Sequence, residues 1–111
     1  MKIGYRRVST VEQKFDRQDL GADIERVFEE KESGGTAERK ALQEMIAFAR
    51  SGDEVIVYSI DRLARNLRDL QQIIEELNNK EVTITFLSER LSFNADSSDA
   101  FAKLQLQMLG A

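Results

Sequence analysis

A nearly continuous apolar run at residues 54–58 constrains the fold of this chain more than any other stretch. Its centre is formed by the β-branched residues Val55, Ile56 and Val57, with no polar side chain between them. A short run of this kind is typical of a strand that is buried on both faces. Such strands occur in parallel sheets with helices packed on either side, so the run predicts an α/β fold.

The segments around this strand alternate between strand and helix patterns. We expect strands at residues 2–8, 26–29, 54–58 and 82–87, with a further short strand near residues 92–93. We expect helices at residues 11–20, 37–50 and 63–78, and a last helix that is capped within residues 96–98. This order predicts a three-layer sandwich around a mainly parallel sheet of four or five strands. The length of 111 residues fits one domain with one core.

The composition excludes several kinds of chemistry. The chain has no histidine and no cysteine, which removes the usual general base and the commonest nitrogen and sulfur ligands of metals. We therefore expect no metal and no cofactor. The absence of cysteine, of a secretory signal and of an apolar run of roughly 20 residues predicts a cytoplasmic protein with no membrane segment. The net charge of −4 means that any binding of nucleic acid has to depend on a local basic cluster.

A serine stands where the first predicted strand ends. Ser9 follows Arg7 by two positions, which would place a hydroxyl nucleophile beside a cation that binds phosphate. Ser9 is also a good N-cap for the next helix, with Glu12 as its capping-box partner. Thr10 and Gln13 form the same pattern one position later, so that helix does not depend on Ser9.

Two arginines follow the buried strand, in the segment Asp61–Arg65. Because the carboxyl ends of parallel strands meet at one edge of a sheet, we expect this segment to lie near Arg7 and Ser9. Arg62 and Arg65 are three residues apart and would share one face of a helix. One guanidinium group can bind two phosphate oxygens at once, and it stays positively charged at any working pH. A hydroxyl with three arginines around it therefore predicts phosphoryl transfer.

Simpler interpretations of the same residues remain open. Arg39, beside the Gly34–Gly35 loop, is either a fourth cation of the site or part of an exposed first helical turn. Asp61 is either a participant in the site or the N-cap of the helix after it. Arg62 and Arg65 are either phosphate ligands or an ordinary solvated face.

The ordered set of these motifs resembles the catalytic domain of the serine recombinases, which include resolvases, DNA invertases and serine integrases. The matching residues are Gly4-Tyr5-x-Arg7-Val8-Ser9-Thr10, Gln13, Gln18, Lys31-x-Ser33-Gly34, Arg39 and Asp61-Arg62-Leu63-x-Arg65. The resemblance covers essentially the whole chain and implies a resolvase-like fold. We expect the small resolvase or invertase type, because the motif begins near the first residue and the spacings are compact.

The resemblance implies roles for individual residues. Ser9 would attack a DNA phosphodiester and form a 5′-phosphoserine link, followed by strand exchange and rejoining without a metal or a nucleotide. The scissile phosphate would be held by Arg7, Arg62 and Arg65, with help from Arg39. Asp61 would move a proton to the leaving oxygen or hold the arginines. Supporting positions would be Gln13, Gln18, Lys31 and Tyr5, with Tyr5 either structural or in contact with the catalytic residues.

The resemblance also implies partners. Residues 1–111 would form the catalytic domain, and the family continues past this point with the rest of a long dimerisation helix and a DNA-binding domain. The full-length protein would bind DNA, and its homodimers would assemble into a tetramer at synapsis. Two other hypotheses remain: an inert α/β assembly or regulatory module with a passive anion site, and a hydrolytic phosphoesterase.

Overall fold

The computed structural model describes residues 1–9, 21, 23–32 and 39–94, and these form an α/β arrangement around one sheet. Its elements are β1 (Lys2–Ser9), β2 (Arg26–Glu32), α1 (Lys40–Phe48), β3 (Glu54–Val57), α2 (Leu67–Asn79), β4 (Thr83–Phe86) and β5 (Leu91–Phe93). A short 3₁₀ helix at Ile60–Arg62 connects β3 to α2. The helices predicted at residues 11–20 and after residues 96–98 lie outside the described residues.

The sheet has the strand order β2-β1-β3-β4-β5. Strand β1 pairs in parallel with both β2 and β3, and β3 pairs in parallel with β4. Only β5 is antiparallel within the described sheet, and it pairs with β4. The prediction of an α/β fold with a mainly parallel sheet is therefore confirmed.

The two central strands mark the place where the chain changes direction across the sheet. The connection after β1 leads outward to β2 on one side, and the connection after β3 leads to β4 on the other side. In open α/β sheets this divergence opens a crevice at the carboxyl ends of the two strands, where ligands bind. A ligand site is therefore expected at the carboxyl ends of β1 and β3.

One face of the sheet forms the core with α1 and α2. Alternate strand residues share this face because side chains along a strand point to opposite sides, so Ile3 pairs with Val55 and Tyr5 with Val57 in the register of β1 and β3. All four side chains are at most 1% exposed. Burying one such apolar side chain contributes roughly 1.5–3 kcal/mol, so this face holds the sheet against the helices.

Helix α2 has a regular apolar stripe. Its buried residues recur at the spacing of one helix face and are Leu70, Ile73, Ile74 and Leu77. Its N-cap is Asn66, whose side chain accepts a hydrogen bond from the backbone N–H of Asp69 at 2.8 Å. No helix in the described part of the chain has the length and the apolar character that crossing a membrane requires.

The predicted start of this helix was wrong by one turn. We placed it at Leu63, but the α-helix begins at Leu67 and the 3₁₀ helix precedes it. Leu63 is fully buried and continues the apolar spacing of α2, although the backbone at Leu63 is not α-helical. Strand β2 is longer than predicted and ends at Glu32, while β3 and β4 lie within one residue of their predicted bounds.

Candidate active site

The crevice between β1 and β3 brings together two segments that are distant in sequence. Ser9 is the last residue of β1, and the loop after β3 begins beside the same end of the sheet. Arg7 joins the two, because its Nη2 donates a hydrogen bond to the backbone carbonyl of Asp61 at 2.7 Å. The prediction that the segment after β3 lies near Arg7 is confirmed by this contact.

We call residues 60–66 the arginine turn, since this segment carries Arg62 and Arg65 between β3 and α2. Arg62 ends the 3₁₀ helix, and Arg65 lies in the bend before α2. The prediction that they share one face of a helix is therefore wrong. The physical reason is the burial of Leu63 and Ala64 between them, which fixes the turn on the core, while Arg62 stays half-buried and Arg65 exposed.

Asp61 caps no helix. It lies inside the 3₁₀ helix, and the N-cap of α2 is Asn66, so the capping interpretation of Asp61 is wrong. Its exposed carboxylate accepts a hydrogen bond from the hydroxyl of Ser59. Its carbonyl is the acceptor for Arg7. Asp61 thus contributes its backbone carbonyl to the position of Arg7, and its side chain is exposed.

A carboxylate from another strand connection holds the start of the arginine turn. Glu89, in the turn between β4 and β5, accepts a hydrogen bond from the backbone N–H of Ile60 at 3.2 and 3.3 Å to its two oxygens. This N–H begins the 3₁₀ helix, where the first N–H groups have no partner within the helix. Glu89 was not a candidate in the sequence, because nothing local links a β4–β5 turn to a loop after β3.

Arg39 is tied to the other end of the arginine turn. It immediately precedes α1, with a left-handed backbone (φ 46°), and its side chain is 17% exposed. Its Nη1 pairs with Asp69 Oδ2 at 2.6 Å, and its Nη2 donates to the carbonyl of Leu63. The interpretation of Arg39 as part of an exposed first turn is therefore wrong, because its guanidinium packs against the turn that carries the other two arginines.

The carboxylate of Asp69 gathers several donors. Its Oδ2 also accepts the backbone N–H of Arg65 at 3.0 Å. Burial of Asp69 favours the neutral acid, but the hydrogen bonds from Arg65 and Arg39 and the charges of both arginines outweigh it and lower the pKa of Asp69. The sequence did carry a signal for this residue, since Asn66-x-x-Asp69 has the form of a helix start with an acidic first turn.

Tyr5 belongs to the core of the molecule. Its side chain is 1% exposed, and its hydroxyl donates to Glu30 Oε1 at 3.3 Å. Burial raises the pKa of Tyr5, and the neighbouring Glu30 carboxylate raises it further, so the phenol stays protonated. Lys31 lies in β2, opposite Val8 of β1. Gln13 and Gln18 lie outside the described residues.

Known proteins with similar sequences match nearly the whole of this chain. The family described as "Resolvase, N terminal domain" matches residues 2–111. The Transposon Tn21 resolvase of Escherichia coli is 46% identical over 110 residues, which cover 99% of this chain and 59% of that protein. The DNA-invertase of Escherichia phage P1 is 35% identical over 114 residues, covering 100% of this chain and 59% of the invertase. This chain therefore spans 59% of the length of these relatives.

A solved structure shares the fold. A resolvase family site-specific recombinase from Streptococcus pneumoniae matches over 98% of this chain and 88% of its own, with a TM-score of 0.64. The two sequences are 17% identical, so the likeness concerns the arrangement of the elements and not individual side chains.

Proposed function

Because this chain belongs to the resolvase N-terminal domain family, we propose that it is the catalytic domain of a site-specific serine recombinase of the small resolvase or invertase type. The observation that supports this function best is the hydrogen bond from Arg7 to the carbonyl of Asp61. It joins the end of β1, where Ser9 lies, to the arginine turn at the crevice where α/β sheets bind ligands.

In the proposed reaction, the hydroxyl oxygen of Ser9 attacks the phosphorus of a DNA phosphodiester. A bond forms between Ser9 and phosphorus as the Ser9 hydroxyl gives up its proton, the bond between phosphorus and the 3′ oxygen breaks, and that oxygen takes up a proton as it leaves. The product is a 5′-phosphoserine link and a free 3′-hydroxyl, and the reverse reaction rejoins a strand. Asp61, with its exposed carboxylate, is our candidate for the proton transfer.

Three arginines supply the electrostatic stabilisation in this proposal. The phosphodiester carries one negative charge, and attack by an alkoxide adds a second in the pentacovalent transition state. Arg7, Arg62 and Arg65 each carry a positively charged guanidinium group and would face this charge from both strand ends. Removing one donor of this kind typically lowers the rate about 100–1000-fold.

The partners of the whole protein are also part of the proposal. The relatives are longer than this chain, and we propose that the domain acts within a longer protein whose other segments bind the recombination site. Its net charge of −4 fits this proposal, since binding of DNA by this domain then has to depend on a local basic cluster and not on overall charge. Dimers that assemble into tetramers in the cytoplasm complete the proposal.

Covalent trapping tests it. The whole protein is incubated with DNA that carries its recombination site, stopped with detergent and examined for protein–DNA adducts. We expect adducts in the wild type, none in Ser9→Ala, and a rate about 100-fold or more lower in Arg7→Ala. Arg50→Ala is the matched control, because Arg50 is exposed and precedes β3 at the opposite end of the sheet.

Three results would contradict the proposal in different ways. Adducts in Ser9→Ala would exclude Ser9 as the nucleophile. Intact DNA binding without adducts in the wild type would favour the inert assembly module. Cut DNA, with hydrolysed ends and no adduct at any time, would favour the phosphoesterase.

A further inference from the structure

One carboxylate oxygen contacts both Arg39 and the backbone of the arginine turn. Asp69 Oδ2 pairs with Arg39 Nη1 at 2.6 Å and accepts the backbone N–H of Arg65 at 3.0 Å. The other end of the Arg39 guanidinium donates to the carbonyl of Leu63, inside the same turn. A single oxygen and a single guanidinium therefore connect the start of α1, the turn and the first helical turn of α2.

The position of this oxygen is itself fixed. The backbone N–H of Asp69 donates to the side chain of Asn66 at 2.8 Å, and the next residue, Leu70, is fully buried in the core. The lowered pKa of Asp69 keeps the carboxylate ionised near neutral pH. The turn thus receives a charged support that cannot shift without disturbing the start of α2.

The same contacts change the interpretation of Arg39. Both of its terminal nitrogens donate to the protein, one to a carboxylate and one to a carbonyl. Each of these contacts holds the arginine turn in place. Arg39 therefore acts on the arginines of the turn, and its charge is already compensated by Asp69.

We propose that Asp69 is a positioning residue of the recombination site, which orients Arg62 and Arg65 toward the phosphate by holding the arginine turn through Arg39 and the Arg65 backbone. The proposal rests on the proposed function for its effect on cleavage. Misplacing a catalytic group by about 1 Å can cost about 100-fold in rate, so a support of this kind has a measurable effect.

The test uses the whole protein, DNA with its recombination site, and the initial rate of adduct formation. We expect Asp69→Asn, which keeps an acceptor but loses the charge, to lower this rate about 10-fold or more while leaving the affinity for DNA unchanged. The control is Glu76→Gln, which removes a carboxylate on the same groove between α1 and α2. We expect this control to cleave at the wild-type rate.

A double-mutant cycle separates support from direct contact with the phosphate. If Arg39 acts through Asp69, Arg39→Met combined with Asp69→Asn is no slower than the slower of the two single variants. Multiplied losses would mean that Arg39 acts independently of Asp69, through its contact with Leu63 or through the phosphate, and they would overturn the proposal. Arg39→Met breaks the Arg39–Asp69 pair by a change that lies outside α2. The cleavage test can therefore still be made with Arg39→Met if Asp69→Asn destabilises α2.

Amide hydrogen exchange gives a readout that does not depend on cleavage. We expect faster exchange at Arg65 in Asp69→Asn and in Arg39→Met, with unchanged exchange in Glu76→Gln. Unchanged exchange at Arg65 would overturn the support, and faster exchange with full cleavage would overturn its catalytic importance. A wild type that forms no adducts would instead defeat the proposed function, and the positioning role with it, while exchange still decides whether Asp69 supports the turn.

Discussion

Replacing Glu30 by alanine removes one carboxylate that serves three hydrogen-bond donors. Its Oε1 accepts from the Tyr5 hydroxyl at 3.3 Å and from the backbone N–H of Leu42 at 3.0 Å, and its Oε2 accepts from the N–H of Ala41 at 3.2 Å. Arg39, the N-cap residue of α1, makes no capping bond with its side chain. Glu30 therefore caps α1 from the neighbouring strand β2.

The size of the effect follows from these contacts. Loss of a helix cap costs about 1 kcal/mol of unfolding free energy. The Tyr5 hydroxyl belongs to a side chain that is 1% exposed, and leaving such a donor without a partner costs about 1–3 kcal/mol. We expect Glu30→Ala to lower the free energy of unfolding by about 2–4 kcal/mol, which for a domain of this size lowers Tm by roughly 8–16 °C.

Urea unfolding of matched variants checks this magnitude. The control is Glu29→Ala, since Glu29 is the adjacent carboxylate and its pair with Arg6 at 2.6 Å is partly solvated. A pair of this kind contributes about 0–1 kcal/mol. In a Tyr5→Phe background there is no hydroxyl to lose its acceptor. Glu30→Ala should therefore lower the free energy of unfolding by about 1–3 kcal/mol less than it does in the wild type. Equal losses for the two glutamates, or no coupling with Tyr5, would refute the reasoning.

Three further changes have expected outcomes. Asp69 has a lowered pKa in the folded chain, so its contribution to stability is present above about pH 4 and is lost as the pH falls through the folded value. Asp69→Asn should therefore flatten the acid limb of a plot of unfolding free energy against pH, and an unchanged slope would contradict this. Leu70→Ala should cost about 2–5 kcal/mol in urea unfolding, because Leu70 is fully buried, and the exposed Leu87 should tolerate the same change within about 1 kcal/mol. Glu89→Ala should speed hydrogen exchange at Ile60, whose N–H it accepts, and exchange at the wild-type rate would exclude this support.

The fold was predictable because its strongest signals are local. The β-branched run of β3 identified the central buried strand, and the order of strand and helix patterns around it gave the parallel sheet. The apolar stripe from Leu70 to Leu77 identified α2. Its first residue was predicted too early because Leu63 continues the apolar spacing, while the helix start is set by the N-cap Asn66. Periodicity reports which residues are buried and does not report whether the backbone between them is α-helical.

The candidate site was predictable only where two strand ends meet. Parallel pairing of β1 and β3 was enough to place Arg7 beside the arginine turn. The residues that support this turn, Asp69 and Glu89, were missed. Glu89 contacts Ile60 across 29 positions, and Asp69 contacts Arg39 across 30. Pairings of that range depend on the finished packing of the helices against the sheet, and a short motif does not contain them.

Strand β2 lies at one edge of the described sheet, and its composition has a consequence for how the protein behaves in concentrated solution. Its sequence, RVFEEKE, places charge at five of seven positions. An open strand edge is a template on which the strand of another molecule can add, and charged residues along the edge oppose this addition. If β2 of a second copy paired with this strand in parallel and in register, each charged residue would lie opposite the same residue of the other copy, and the like charges would repel. We therefore expect this edge to protect the domain from sheet-to-sheet aggregation at high protein concentration.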